Sequence, residues 1–573
     1  MTLAAASATP ARRDAPNYSG ALQITIFVVA TVLVVAPLVP IVVQAFIDRP
    51  IYEGSAHLTV ANFGRLLSDP AFWSALKNTL GFAVIMTVLA QIIGTILAIL
   101  VARTDMPGRA FFGEVIIWPL FLSHLLMAFG WYIMYGPSGY LTLFVKSALG
   151  TQPWDLYTVP GMAVVAATTQ APLAYLYCVA AVRNADSTLE ASAHSVGAGP
   201  WRVLTTITLP LLRPAILYGL VMNFVVAIEM LSIPLIFGKP ARLQLYATYL
   251  YDAALTKSPA DHGLISAAAL LMLLFVLGLL ACQAWLMRGS RRFVTTGGKA
   301  THSKLFPLGR ARWPVAALAL VFICATNFVV VGAIMLRSVT ELLSPLIPLQ
   351  EVLTWHNYEL LLEQPIYLRS IKNTILIAVI GAILGTALTT LITLVSHRSE
   401  FRFARALEFL AQFPRALPGV FGGLAFLYLV LAIPAAGWLR NTIWVLVFAY
   451  VIRYLPAVVG TIVPPLQQIS RDLDNAARNT GASWWTACRT ILLPMLKSAL
   501  FSCLILLFVL FMKEYVTAVF LVAPNSEVIG TTLLQRWSNG DTGPVAALAT
   551  IQIIVTVILI YAARKLLGVK LYG

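Results

Sequence analysis

The chain has 573 residues, 59% of them hydrophobic and only 11% charged, with a net charge of +16. A soluble domain carries about 25% charged residues, so this composition excludes a water-soluble globular protein and places most of the chain in lipid. The basic surplus must then sit in short loops, where Lys and Arg mark the cytoplasmic side; a nucleic-acid groove would need basic residues interleaved with aromatics, and no such stretch occurs.

A membrane-spanning helix needs about 20 apolar residues. Arg12 and Arg13 precede the first apolar run, about 21–46, which is too long for the core of a cleaved signal and is expected to be an uncleaved first span. Five further runs follow at about 75–102, 110–135, 159–182, 209–236 and 263–287. The segment 288–313 is rich in Lys and Arg, including Arg288, Arg291, Arg292, Lys299, Lys304, Arg310 and Arg312, with no acid, and is expected to be cytoplasmic. A second set of six runs lies at about 314–336, 369–396, 404–433, 440–463, 494–522 and 545–563. The expected fold is an all-α membrane protein of about 12 transmembrane helices in two parallel six-helix repeats. Its parts are a tail over 1–20, a first half over 21–287, a linker over 288–313 and a second half over 314–573. Six spans per half put both termini in the cytoplasm. Arg103, Arg109, Arg398, Arg402, Arg405, Arg564, Lys565 and Lys570 agree with that orientation.

The repeat is written in the residues. An offset of 295 relates Asn62 to Asn357, Lys77-Asn78-Thr79 to Lys372-Asn373-Thr374, and Pro119 to Pro414. An offset of 284 relates Pro172, Gly197 and Pro210 to Pro456, Gly481 and Pro494. The change falls in a loop, about 136–158 in half one, which shortens to a turn near Pro434–Trp438 in half two. Parallel repeats of this kind are a transporter architecture.

Cys178, Cys282, Cys324, Cys488 and Cys503 form no C-x-x-C pair and read as small core residues. The histidines show no ligand spacing, and His124 in the third span reads as a hydrogen-bonded core residue before a ligand.

Each half carries one polar helix-forming segment between its fourth and fifth spans. Half one runs from Glu190 through Ala191, Ala193 and Gly197 to Leu209-Pro210; half two runs from Asp474 through Ala476, Ala477 and Gly481 to Leu493-Pro494. In both, the acid precedes the glycine by seven residues, and the proline follows the glycine by thirteen. The acid opens the first short helix, where it suits the helix dipole and is free to meet a basic partner residue. The glycine permits a sharp turn, and the proline is expected to start the fifth span.

These paired segments resemble the "EAA" loops of binding-protein-dependent ABC importer permeases. The fused arrangement and the run Tyr450-Val451-Ile452-Arg453-Tyr454-Leu455-Pro456 resemble the ferric-iron branch of that family, whose relatives handle thiamine, polyamines, phosphonates and sulfate. The resemblance implies a permease of the bacterial inner membrane whose two loops dock two copies of a separate ATPase. It also implies one periplasmic binding protein that delivers the cargo. Ser192, and Asp474-Asn475 in place of Glu-Ala, depart from the family pattern and imply unequal docking sites. No cofactor is expected on this chain: a phosphate-binding loop needs G-x-x-x-x-G-K-[ST], and Gly238-Lys239-Pro240 and Gly298-Lys299-Ala300 do not match it. ATP and Mg would belong to the partner, and the chain itself is expected to be no enzyme.

Charges inside spans are costly and face a cavity or a partner. Glu229 and Glu514 lie late in the fifth span of each half, at an expected position near the outer mouth. They either close a salt-bridged gate or contact a cationic cargo. Arg415 and Arg453 fall inside the ninth and tenth spans and would line the path, pair with Glu514, or snorkel; Lys513, beside Glu514, is expected to snorkel outward.

Overall fold

The computed structural model describes residues 18–184, 187–287 and 305–567. The described residues form helices and no β-strand; Ile47, Thr104 and Thr340 make isolated bridges. Eight helices are long and apolar enough to cross a membrane, and twelve if each of four sharply bent helix pairs counts as one span. The sequence-expected spans all correspond to helices, so the two-half architecture holds.

The second spans show how the sequence builds the frame. Pro70–Arg103 and Pro365–Arg398 are each 34 residues long, at the offset of 295. Proline at the first position fits a helix start, since its missing N–H has no intrahelical acceptor there. Asp69 caps the first of these by accepting from the Ala71 N–H. At 1.5 Å per residue each rod is about 51 Å long, well beyond an apolar thickness of about 30 Å. Arg103 and Arg398, the last residues, therefore stand at the level of the loops.

Polar residues inside these rods are satisfied locally. Thr389, Thr390 and Thr393 each return a hydroxyl hydrogen bond to the carbonyl four residues back, as a dry environment requires. The repeated Asn and Thr residues do structural work. Asn62 donates to the carbonyls of Ala45 and Ile47, and Asn357 to those of Ser338 and Thr340. Thr79 accepts from the Tyr246 N–H, and Thr374 from the Ile529 N–H. Each half thus ties the end of its first span and its helix before the sixth span to the same places.

Two expectations about shape change. The third spans are not straight: Arg109–Phe121 meets His124–Leu149 at 104°, and Ala404–Ala416 meets Gly419–Ala432 at 110°. Pro119 and Pro414 sit in the 3₁₀ turns at these corners, and Ser123 caps the next segment of half one by accepting from the Leu126 N–H. The fifth span does not start at the proline either. Leu209–Leu211 and Leu493–Met495 end an incoming helix, and the spans proper, Arg213–Glu229 and Lys497–Lys513, begin after bends of 63° and 74°. A π turn before each Leu-Pro pair, Leu204–Thr208 and Cys488–Leu492, absorbs the hydrogen bond that proline cannot donate.

The halves interlock. Leu38–Ala45 of half one packs on Gly419–Ala432 of half two, and Val329–Ser338 of half two packs on His124–Tyr135 of half one. At the second contact a side chain on Gly130 would meet the Val330 carbonyl at 2.5 Å, so the helices approach as closely as glycine allows.

Candidate functional site: two docking loops and a central charge cluster

The two loops between the fourth and fifth spans are helix–turn–helix units at one end of the bundle. The first helices are Ser187–Ser195 and Arg471–Asn479, the second begin at Pro200 and Trp484, and all keep the offset of 284. Gly197 and Gly481 turn the chain with φ of +83° and +90°, a region that costs an L-residue about 1–2 kcal/mol. Ala191 and Ala193 lie in the first helix of half one, and Ala476 is exposed in that of half two with Ala477 beside it. Half one exposes Val196 and Trp201, whereas Trp484 of half two is buried and Trp485 half-buried.

The acids that open these helices do not stand free. Glu190 pairs with Arg103 at 3.6 Å and accepts from the Thr208 hydroxyl at 2.8 Å. Asp474 pairs with Arg398 at 3.2 Å. The arginines are themselves repeat mates at the offset of 295, a signal in the sequence that charge counting had absorbed into the positive-inside bias.

The central cluster draws on both halves. Arg453 stands between the two acids, with Nη2 3.7 Å from Glu229 and Nε 3.4 Å from Glu514. Its Nη1 donates to the Thr517 hydroxyl at 3.0 Å. Glu514 accepts from the Thr517 N–H at 2.9 Å and from the Tyr454 hydroxyl. Glu229 accepts from the Gly419 N–H at 2.6 Å, at the start of the helix that follows the corner in half two. A helix N-terminus is a ready anion site, so the bend itself supplies a partner for the acid. Lys513 does not snorkel: its Nζ donates to the Leu120 carbonyl of half one at 2.5 Å.

Three sequence expectations are corrected here. The cluster is not at an outer mouth. Arg453 lies nine residues from Trp444 and fifteen from Gln468, about 14 and 22 Å along its helix. The acids are also not positional mates. Glu229 is the last residue of its helix, as Lys513 is of the matching one, so Met230 is the counterpart of Glu514. Finally, of the three roles open to Arg415 the pairing with Glu514 does not occur; Arg415 is exposed, lies over the Tyr218 ring at 5.3 Å and reaches Met222 Sδ. His124 bonds to Gln170, as a core histidine should.

At the opposite end from these paired loops, a cavity of about 580 Å³ opens between the helices Tyr246–Leu255 and Ile529–Ser538. Lys239, Tyr251, Glu527, Gln535 and Asn539 contribute its polar lining. Sequence reading missed it, as it missed Gly419, Tyr454 and Thr517, because each belongs to a long-range meeting of elements. Among the described residues no group of three or more His, Cys, Asp or Glu is placed to hold a metal ion.

Comparison with known proteins places this geometry in a family. The chain matches the family described as "binding-protein-dependent transport system inner membrane component" twice, over residues 92–292 and 390–570. It is 26% identical to the ferric transport system permease protein FbpB of Actinobacillus pleuropneumoniae, over 94% of this chain and 77% of that one. It is 26% identical to the putative ferric transport system permease protein FbpB 1 of Haemophilus influenzae, over 81% and 72%. A shorter match, 25% identical over 38% of this chain and 80% of the relative, is to the spermidine/putrescine transport system permease protein PotC of Escherichia coli. With two family domains, each containing one of the paired loops and most of one half, the chain belongs to the inner-membrane components of binding-protein-dependent transport systems, in a form that fuses two halves into one polypeptide.

Proposed function

We propose that this permease carries ferric iron from a periplasmic binding protein to the cytoplasm, driven by two copies of a separate ATPase seated on the two docking loops. The observation that carries the cargo assignment is the similarity to ferric permeases along 94% of the chain. Two loops of one geometry at one end of the bundle support two ATPase copies, with ATP and Mg used on those subunits. The excess of Lys and Arg near that end supports a cytoplasmic position for it and for both termini.

In this reading the 580 Å³ cavity receives cargo on the periplasmic side, and the Arg453 cluster closes the path below it. Arg453 holds Glu229 of half one to Glu514 of half two, so separating the halves must break at least one of these pairs. The parted acids would then offer hard oxygen ligands to a trivalent cation at the moment the gate opens. A second reading, polyamine cargo, is favoured by the spermidine/putrescine relative and uses the same acids on an organic cation.

Uptake of radiolabelled ferric iron and of spermidine by cells deleted for the chain separates the two. Loss of iron uptake with normal spermidine uptake is expected; the reverse would transfer the assignment to polyamines. Purified chain alone is expected to hydrolyse no ATP, and hydrolysis is expected on adding the cognate ATPase. Robust hydrolysis by the chain alone would count against a separate motor.

A further inference from the structure

We propose that the acid opening each docking loop, Glu190 or Asp474, is an internal latch that fastens the loop to the tip of the second span of its own half, not a contact presented to a partner. The observation is made twice, in two halves that differ in sequence. Glu190 meets Arg103 and Asp474 meets Arg398. Both arginines are the last residue of a 34-residue helix, and both acids lie in the first turn of a loop helix. An acid presented to a partner would be solvated in the chain alone. Asp474 instead shows only 10% of its side chain, and Arg398 only 4%.

Arg398 grips more than the acid. Its Nη2 donates to the carbonyl of Leu466 at 2.5 Å and to that of Ile469, at the end of the fourth span. Its own carbonyl accepts from Trp484 Nε1 at 2.9 Å, in the helix after Gly481. One residue therefore holds the fourth span and both short helices of the loop to the end of the second span. In half one the pair is longer and less buried, 3.6 Å with 7% and 16% of the side chains showing, and Thr208 of the second loop helix shares the acid.

The latch has a mechanical consequence. Pro365–Arg398 packs along Lys497–Lys513, with Gly381 against Phe511 and Gly385 against Leu507. The packed helix ends at Lys513, and its cap Glu514 stands in the central cluster. A push on the loop of half two is thus delivered to a rod that bears on the helix carrying a gate residue. Arg103, Arg398 and the two acids are positioning residues for coupling. That role rests on the transport reading above, whereas the latch itself is a property of the chain alone.

The test has one arm for each. In the purified chain in lipid nanodiscs, Arg398→Gln and Asp474→Asn are each expected to speed amide exchange over 471–479 about tenfold, with the double variant adding less than about twofold. Arg103→Gln and Glu190→Gln, at the more exposed pair, are expected to do the same over 187–195, and they decide the matter if Arg398→Gln fails to insert. Exchange unchanged in all four variants overturns the latch. In the second arm the chain is co-expressed with its ATPase, and membrane-inserted chain, co-purified ATPase and transport are measured together. Asp474→Asn and Arg398→Gln are expected to lower transport about tenfold at ATPase recovery within about twofold of wild type. Loss of ATPase in Asp474→Asn but not in Arg398→Gln would mean that the acid faces the partner, and would overturn the proposal. Failure of the wild-type chain to retain any ATPase would sink the transport reading, and the exchange arm would still decide the latch.

Discussion

At Gly419 the missing side chain is what lets Arg453 stand between two acids. A Cβ there would fall 1.5 Å from Arg453 Nη1. Gly419→Ala must therefore push the guanidinium away from Glu229 and Thr517, and transport is expected to fall about tenfold at normal membrane abundance. Gly422→Ala, three residues on, has no neighbour within 4 Å and serves as the control with wild-type transport. Uptake assays normalised to inserted chain check both; equal activity in the two variants would show that the cluster does not gate the path. The acids should also differ. Glu514 shows 4% of its side chain and accepts two hydrogen bonds, from the Thr517 N–H and the Tyr454 hydroxyl, besides its ion pair with Arg453. Glu229 shows 20%. Glu514→Gln removes the more buried carboxylate with its ion pair and hydrogen bonds, and is expected to cost about 3 kcal/mol of stability, with Glu229→Gln costing about 1 kcal/mol. Thermal aggregation midpoints in detergent read the order, and a larger loss in Glu229→Gln would reverse it.

The element most exposed to a test is the docking loop. Gly197 and Gly481 both sit at positive φ, and a Cβ on Gly197 meets nothing within 4 Å. The penalty of a substitution at Gly197 is therefore backbone conformation alone, about 1 kcal/mol for alanine and more for a β-branched residue. Gly197→Val and Gly481→Val are expected to leave the chain inserted and to reduce co-purified ATPase about fivefold or more, because the first loop helix changes its angle to the second. Quantifying inserted chain and bound ATPase side by side checks this; normal recovery in both variants would remove the loops from docking. The two loops should not contribute equally. Half one exposes Val196 and Trp201, and half two holds its second helix down through Trp484. Single-loop variants in half one are accordingly expected to be the more damaging to ATPase recovery.

On the scale of the whole molecule, the halves are held by exchanged contacts. Each first span packs on the third span of the other half, and Tyr135 donates to the Ala325 carbonyl across the same interface at 2.8 Å. The end of the linker is also tied down. Phe306 exchanges backbone hydrogen bonds with Arg103 and Asp105, beside the latch of half one. A chain cut within 288–304 and expressed as two pieces is therefore expected to reassemble and co-purify. Gly130→Leu is expected to abolish recovery, because any side chain there collides with the Val330 backbone. Co-purification of the cut pieces through a tag on one half tests it. Unaffected recovery in Gly130→Leu would mean that the halves are joined by other surfaces.

Composition, apolar run length and the duplicated motifs determined the fold class and the two-half repeat, and they marked the loops proposed for docking. These are local quantities: 20 apolar residues must become a helix in lipid, because every backbone polar group needs a partner within the segment. The offsets of 295 and 284 carried the two-half architecture for the same reason, as a duplicated chain repeats its local requirements. Even Gly197 and Gly481 were legible, since few residues other than glycine turn with positive φ. What the sequence could not show is which charges meet. Arg453 and Arg415 look alike as basic residues inside apolar runs, yet one bridges two acids and the other lies against Tyr218 and Met222. Glu190 and Asp474 look like exposed helix-opening acids, yet each is bound to an arginine 76 to 87 residues earlier in the chain. Such pairings depend on the corners in the third spans and the bends before the fifth. Those angles set which helix ends face one another, and the low dielectric between them makes the pairing decisive.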